Sequence, residues 1–292
     1  MSNRQILNYH DAVLYQSDLN ILLHPQQWLN DACIHFALTR LDQQLQQQGQ
    51  AQNQSQEACK CKFLDPSVLS FFMHQWHEEE DGDEDVLGLK LHDKNTTANT
   101  STTSRNVLFF LPINDNYTSH QWKTPGGGTH WSLLLLIASY TNKNDNPLPQ
   151  GQSPCSTSFW HFDSSRGSGN QRAATAVAEK LQRVLRQWRV LAAKNDKDGE
   201  ENRDDVGVSA VVQECTVPQQ QNGYDCGLHT LATAEALAKA IVVLGSCTNG
   251  NANKESLEII VQQAMTASSS ACTKLRKQMA EDIQQLMNHG GA

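Results

Sequence analysis

Residues 218–228 read PQQQNGYDCGL, a polar turn that runs directly into CGLHTLATAEALAKAIVVL at 226–244. The second stretch is rich in Ala and Leu and predicts a helix that opens on Cys226. A thiol at a helix N-terminus faces unpaired backbone N–H groups and the positive end of the helix dipole, both of which favour the thiolate. Upstream, SAVVQECTV at 209–217 predicts a strand. Before it, Gln171 opens a segment that places Val177, Leu181, Val184, Leu185 and Trp188 on one helical stripe. SFWHFDSS at 158–165, HWSLLLLIASY at 130–140 and NVLFFLPIN at 106–114 are short apolar runs consistent with buried strands.

Nearer the N-terminus, Asn30 or Asp31 can cap a helix carrying Ile34, Leu38 and Leu41 on one side. Asp65-Pro66 opens another, with Val68, Leu69, Phe72 and Trp76 on one face. A last helix is expected over 274–287. Strands flanked by helices give an α+β class with a central sheet. One domain spanning 1–292 is expected, with polar insertions near 43–56, 78–106, 142–156 and 194–206. These blocks, QQLQQQGQAQNQSQ and EEEDGDED among them, are too poor in apolar residues to offset their ordering entropy and read as surface loops.

Three positions have the residue types that thiol-dependent acyl transfer needs. His130 begins an apolar strand, Asp163 ends another, and Cys226 enters a helix. An imidazole can take the thiol proton, and a carboxylate can fix the orientation of that imidazole. Gln220, six residues before Cys226, can join the Cys226 backbone N–H in an oxyanion hole. Taken singly, each has a plainer explanation. A Cys at a helix start can be a small buried hydrophobe, a strand His a hydrogen-bonded core group, and an Asp after a strand a turn former.

Composition removes several classes. The 292 residues carry 23 Lys and Arg against 31 Asp and Glu, a net charge of −8, so there is no basic footprint for nucleic acid. No apolar run approaches the roughly 18 residues of a bilayer span, so no membrane role is expected. The first residues lack the apolar segment of a secretory signal, which points to the cytosol or nucleus and to eight reduced cysteines. Cys59 and Cys61 with His74 and His77 lack any known zinc spacing, so no metal and no cofactor is expected.

The flanking motifs carry a resemblance. WLND at 28–31, GTHWSLL at 128–134, FDS at 162–164 and QQNGYDCG at 220–227 resemble the ubiquitin-like protease (Ulp), or sentrin-specific cysteine protease, family. The order His, Asp, Gln, Cys matches as well. LPINDN at 111–116, the 226–237 segment and TKLRKQMAEDIQQLM at 273–287 are similar to its deneddylase branch. The polar insertions and the extra residues at 115–129 depart from that pattern.

The resemblance implies a papain-like core and a cysteine isopeptidase that cleaves after the C-terminal Gly-Gly of a ubiquitin-like modifier. The implied modifier is Nedd, and the implied conjugates include cullins. Cys226 would be nucleophile, His130 base and acid, Asp163 its orienter and Gln220 an oxyanion donor. Trp28 and Trp131 match the tryptophans that roof the Gly-Gly channel, which only glycine is thin enough to enter. Asp31 matches an acidic position near the incoming tail, where it would favour an arginine before the glycines. A monomer is expected. The alternatives are a SUMO protease, a non-catalytic binder of ubiquitin-like tails and, last, an acetyltransferase on the same scaffold.

Overall fold

Why the three long apolar runs lack an alternating pattern is plain from their surroundings: both faces of the sheet they build are covered. The computed structural model describes residues 3–51, 59–76, 87–88, 104–118, 128–141, 156–165, 167–195, 210–244, 254–266 and 271–289. Strands β3 (Cys59–Phe63), β4 (Ser104–Asn114), β5 (Trp131–Thr141), β6 (Ser156–Phe162) and β7 (Val212–Cys215) form one sheet in that order. The outer pairs β3–β4 and β6–β7 are parallel, while β4–β5 and β5–β6 are antiparallel.

Period-two alternation divides β4, β5 and β6 between two cores. Leu108 and Phe110 of β4, Leu133, Leu135 and Ile137 of β5, and Phe162 of β6 face one cluster. That cluster includes residues of α2 (Asp31–Ala51), α5 (Cys226–Leu244), α6 (Lys254–Thr266) and α7 (Ala271–His289). Val107, Phe109, Leu134, Leu136 and Phe159 face the other, with α3 (Pro66–His74) and α4 (Asn170–Asn195).

Capping sets two helix starts as expected. Asn30 Oδ1 accepts from the Cys33 N–H at 3.0 Å, and Asp65 accepts from the Ser67 N–H at 2.7 Å with Pro66 in the first turn. Among the described residues no helix is long and apolar enough to cross a membrane.

The first polar block is not a loop over its first half. Helix α2 continues through the glutamines to Ala51. The apolar stripe Ile34, Leu38, Leu41 has one more member, Leu45, and all four are buried. Burying one leucine contributes about 1.5–3 kcal/mol, and Gln is itself a fair helix former, so composition alone misjudged this segment. Two other block edges move. Ser104, Arg105 and Asn106 belong to β4, paired with Thr141, Tyr140 and Ser139, and Ser156 opens β6. The residues at 52–58, 77–86, 89–103, 142–155 and 196–209 lie outside those described, so the loop reading of the rest falls there.

Elements that the sequence reading did not anticipate complete the fold. β1 (Gln5–Tyr9) and β2 (Ala12–Tyr15) form a hairpin that turns at His10 and Asp11. His10 has φ +55°, a left-handed conformation usually given to Gly or Asn. Helix α1 (Gln16–Leu23) follows directly. The Cys59-Lys60-Cys61 segment is edge strand β3.

Candidate active site

Leu133 of β5 pairs with Phe162 of β6. The residue before β5 and the residue after β6 therefore lie at the same end of the sheet. These are His130 and Asp163, and His130 Nε2–H donates to Asp163 Oδ1 at 2.6 Å. Cys226 is the first residue of α5, only 1% exposed, and its side chain adjoins the His130 imidazole closely enough to raise the pKa of that ring. With Nε2 committed to Asp163, Nδ1 is the ring atom left for the thiol.

The electrostatics follow from that order. Burial pushes the His130 imidazole down. Its hydrogen bonds with Asp163 and Cys226, and the negative charge of both partners, more than offset this and raise its pKa to about 9. For Asp163, burial pushes the carboxyl up. The bonds from His130, Ser168 and the Ser165 N–H outweigh it and hold the carboxyl below the usual range. Two other thiols differ. Burial, then the charge of Asp18, pushes Cys33 up to about 12, and burial, then Asp225, pushes Cys272 up to about 11. Both are held as inert thiols.

Backbone supports fix each member. Asp115, just past β4, accepts from the Thr129 N–H at 2.6 Å and the His130 N–H at 3.3 Å. Gly128 has φ +90°, and a Cβ there would lie 1.9 Å from Asn114 Oδ1, so this position requires glycine. Gly126 and Gly127, which precede it, lie outside the described residues. Ser168 Oγ donates to Asp163 Oδ2 at 2.5 Å and accepts from the Asn170 N–H at 3.2 Å. Asn170 Nδ2 in turn donates to the His130 carbonyl at 3.2 Å. The His–Asp pair is thus closed into a hydrogen-bonded ring. Ser168 and Asn170 were missed in the sequence because a Ser-Gly-Asn stretch there reads only as a turn.

The turn before Cys226 is shaped by Asn222, whose Oδ1 accepts from the Tyr224 and Asp225 N–H groups at 3.0 Å each. Gln220 lies in this turn. Its Nε2 donates to the Asn222 carbonyl at 2.8 Å, and its Oε1 accepts from Ser164 Oγ at 3.0 Å. The amide nitrogen retains one N–H, and the Cys226 backbone N–H belongs to the first helical turn, whose donors have no intrahelical acceptor. Gly227 permits close packing here, since a Cβ would meet Leu29 Cβ at 3.0 Å.

The expected tail-binding residues are placed differently from one another. Trp28 is 46% exposed and donates from Nε1 to the Gly223 carbonyl at 2.5 Å, in the turn that precedes Cys226. Trp131 is only 4% exposed and donates to the Leu29 carbonyl at 2.9 Å, holding the residue next to Trp28. Asp31 is exposed at the start of α2. Enough protein surrounds it that partial desolvation, then the charge of Asp65, raises its pKa. Buried Arg276 of α7 donates to the carbonyls of Ile21 at 3.1 Å and Gln27 at 2.8 Å and lies 3.5 Å from Asp225. It joins the Trp28 segment to the residue before Cys226.

A thiol beside a carboxylate-oriented imidazole, close to N–H groups of Gln220 and Cys226 with no further partner among the described residues, is the arrangement a cysteine peptidase needs. Residues 27–288 match the model of the Ulp1 protease family, C-terminal catalytic domain, and the chain belongs to that family. It is 30% identical over 268 residues to "Probable sentrin-specific protease 8" of Dictyostelium discoideum, covering 91% of this chain and 88% of the relative. It is 32% identical over 235 residues to "Sentrin-specific protease 8" of Homo sapiens, covering 80% and 81%. "NEDD8-specific protease 1" of Arabidopsis thaliana is 28% identical, covering 80% and 76%. A solved structure described as a de-sumoylating protease superposes with a TM-score of 0.53 at 14% identity, covering 98% of this chain and 93% of that one. That likeness establishes the shared α+β fold.

Proposed function

We propose that the chain is a thiol isopeptidase that cleaves after the C-terminal Gly-Gly of the Nedd modifier, releasing it from conjugates such as modified cullins. The observation that carries the chemistry is His130, hydrogen-bonded to Asp163 at 2.6 Å and adjoining the Cys226 thiol at the start of α5. The attacking species is the Cys226 thiolate, and the protonated His130 beside it holds the proton that the leaving group will need. The thiolate attacks the terminal glycine carbonyl, and the oxyanion takes the free Gln220 N–H and the Cys226 N–H. His130 gives its proton to the leaving lysine amine, and the C–N bond breaks to leave a thioester. His130 then takes a proton from water, whose oxygen attacks the thioester. The modifier leaves with a free carboxylate, and the thiolate returns.

The choice of modifier is supported by the relatives named for sentrin-specific protease 8 and for NEDD8. Exposed Trp28, tied to Gly223, makes one wall for a thin Gly-Gly tail, and Asp31 supplies an acidic group for an arginine before it. The acting species is proposed to be a monomer in the cytosol or nucleus, where a nucleophilic thiol stays reduced. Turnover of fluorogenic conjugates of the Nedd modifier, SUMO and ubiquitin at equal concentration tests the reading. Fastest cleavage of the Nedd conjugate is expected. Faster turnover of SUMO overturns the modifier assignment and leaves the thiol chemistry standing.

A further inference from the structure

We propose that Ser164 is a positioning residue that fixes which end of the Gln220 amide faces the substrate. This rests on the reading of Gln220 as an oxyanion donor. The two ends of a carboxamide are nearly the same in shape and opposite in function. Presented oxygen-first, the amide would repel the developing oxyanion, and presented nitrogen-first it stabilises it. Packing cannot choose between these orientations, so hydrogen-bond partners must.

Two partners make the choice. The Asn222 carbonyl can only accept, so it takes one N–H of Gln220 Nε2 at 2.8 Å. The Ser164 hydroxyl then gives its proton to Oε1 at 3.0 Å, which anchors the oxygen end away from the free N–H. Ser164 is 5% exposed, so water does not readily replace it. Its carbonyl also accepts from the Gln220 backbone N–H at 2.9 Å, and the Asp163 carbonyl accepts from Gln219 Nε2 at 3.2 Å. Backbone and side chain of one residue therefore hold Gln220 at two points. Consecutive residues at the end of β6 divide the work: Asp163 orients the imidazole and Ser164 orients the amide.

The test compares Ser164→Ala, Ser164→Thr, Gln220→Ala and the Ser164→Ala/Gln220→Ala double variant on one fluorogenic modifier conjugate. Each is also alkylated with iodoacetamide, a displacement that forms no tetrahedral oxyanion. Ser164→Ala is expected to lower kcat about fivefold, the scale of one neutral hydrogen bond. KM and the Cys226 alkylation rate should be unchanged, Ser164→Thr should recover activity by keeping the hydroxyl, and the double variant should be no slower than Gln220→Ala alone. Wild-type turnover in Ser164→Ala beside a slow Gln220→Ala overturns the proposal. So does an equal fivefold loss on the Gln220→Ala background, or a parallel loss of alkylation, which would place Ser164 behind the triad. Unchanged turnover in Gln220→Ala overturns the oxyanion reading itself, and this proposal with it.

Discussion

Two histidine–carboxylate pairs stand at neighbouring strands of the same sheet, and only one faces a thiol. His130 meets Asp163 at 2.6 Å, with both side chains nearly buried. His161 of β6 meets Glu214 of β7 at 2.9 Å, with the imidazole fully buried and the carboxylate 40% exposed. The difference lies in the second ring nitrogen. In His130 it is left for Cys226. In His161 it is taken by the Ser132 hydroxyl at 2.8 Å, and that hydroxyl accepts from Asn170 Nδ2 at 2.9 Å. A histidine with both nitrogens committed inside the protein is a structural tie. One with a nitrogen turned to a nucleophile can move a proton. The carboxylate partner alone does not distinguish them.

The largest expected break is chemical. Cys226→Ala should lower turnover on the order of a million-fold, the scale seen when a triad nucleophile is removed, while the protein still folds and binds the modifier. His130→Ala should be comparably inactive. Assays on a fluorogenic conjugate, with circular dichroism as the folding control, check both.

The pH profile should separate the pairs next. Activity should hold through neutral pH and fall on an alkaline limb near 9, as His130 loses its proton. In Asp163→Asn the limb should move down, because the bond and charge that raise the His130 pKa are weakened. The stability contribution has the matching sign. His130 is raised from 6.5 to about 9 on folding, so its contribution is complete below 6.5 and is lost as the pH rises through 9. Chemical denaturation at pH 6 and pH 9.5, in wild type and Asp163→Asn, reads the difference.

His161→Gln should act in the opposite sense to His130→Ala. It leaves buried partners imperfectly paired and should lower stability by about 1–3 kcal/mol, visible as a lower Tm. Turnover of the folded fraction should remain within a few-fold. The smallest effect is expected for Ser168→Ala, which removes one bond to Asp163 Oδ2 and lets the Asp163 pKa rise. The acid limb of the pH profile should shift up slightly with little loss at neutral pH.

The sequence already separated the two histidines, though not for this reason. His130 was singled out by its place before an apolar run and by the flanking GTHW, whereas His161 sat unremarked inside FWHFD. The four proposed catalytic positions lie at ends of elements, where a change of residue pattern marks them: strand start, strand end, turn and helix start. What supports them was illegible. Ser164 and Asn170 are small polar residues whose importance depends on partners 56 and 40 positions away, and Ser168 matters only through its bond to Asp163. Leu45 was hidden among glutamines because block composition outweighed its spacing from Leu41. The β1–β2 hairpin turns on His10 with none of the Asn-Gly chemistry that announces such turns.

The most direct test of the central claim uses a ubiquitin-like modifier ending in a cysteine-reactive electrophile in place of its terminal carboxylate, followed by mass-spectrometric mapping of the adduct. Wild type, His130→Ala and His161→Gln are compared as folded proteins. The account predicts an adduct on Cys226 in wild type and in His161→Gln at similar rates, and none on the same timescale in His130→Ala. An adduct on another cysteine, or equal labelling with His130 removed, would contradict it.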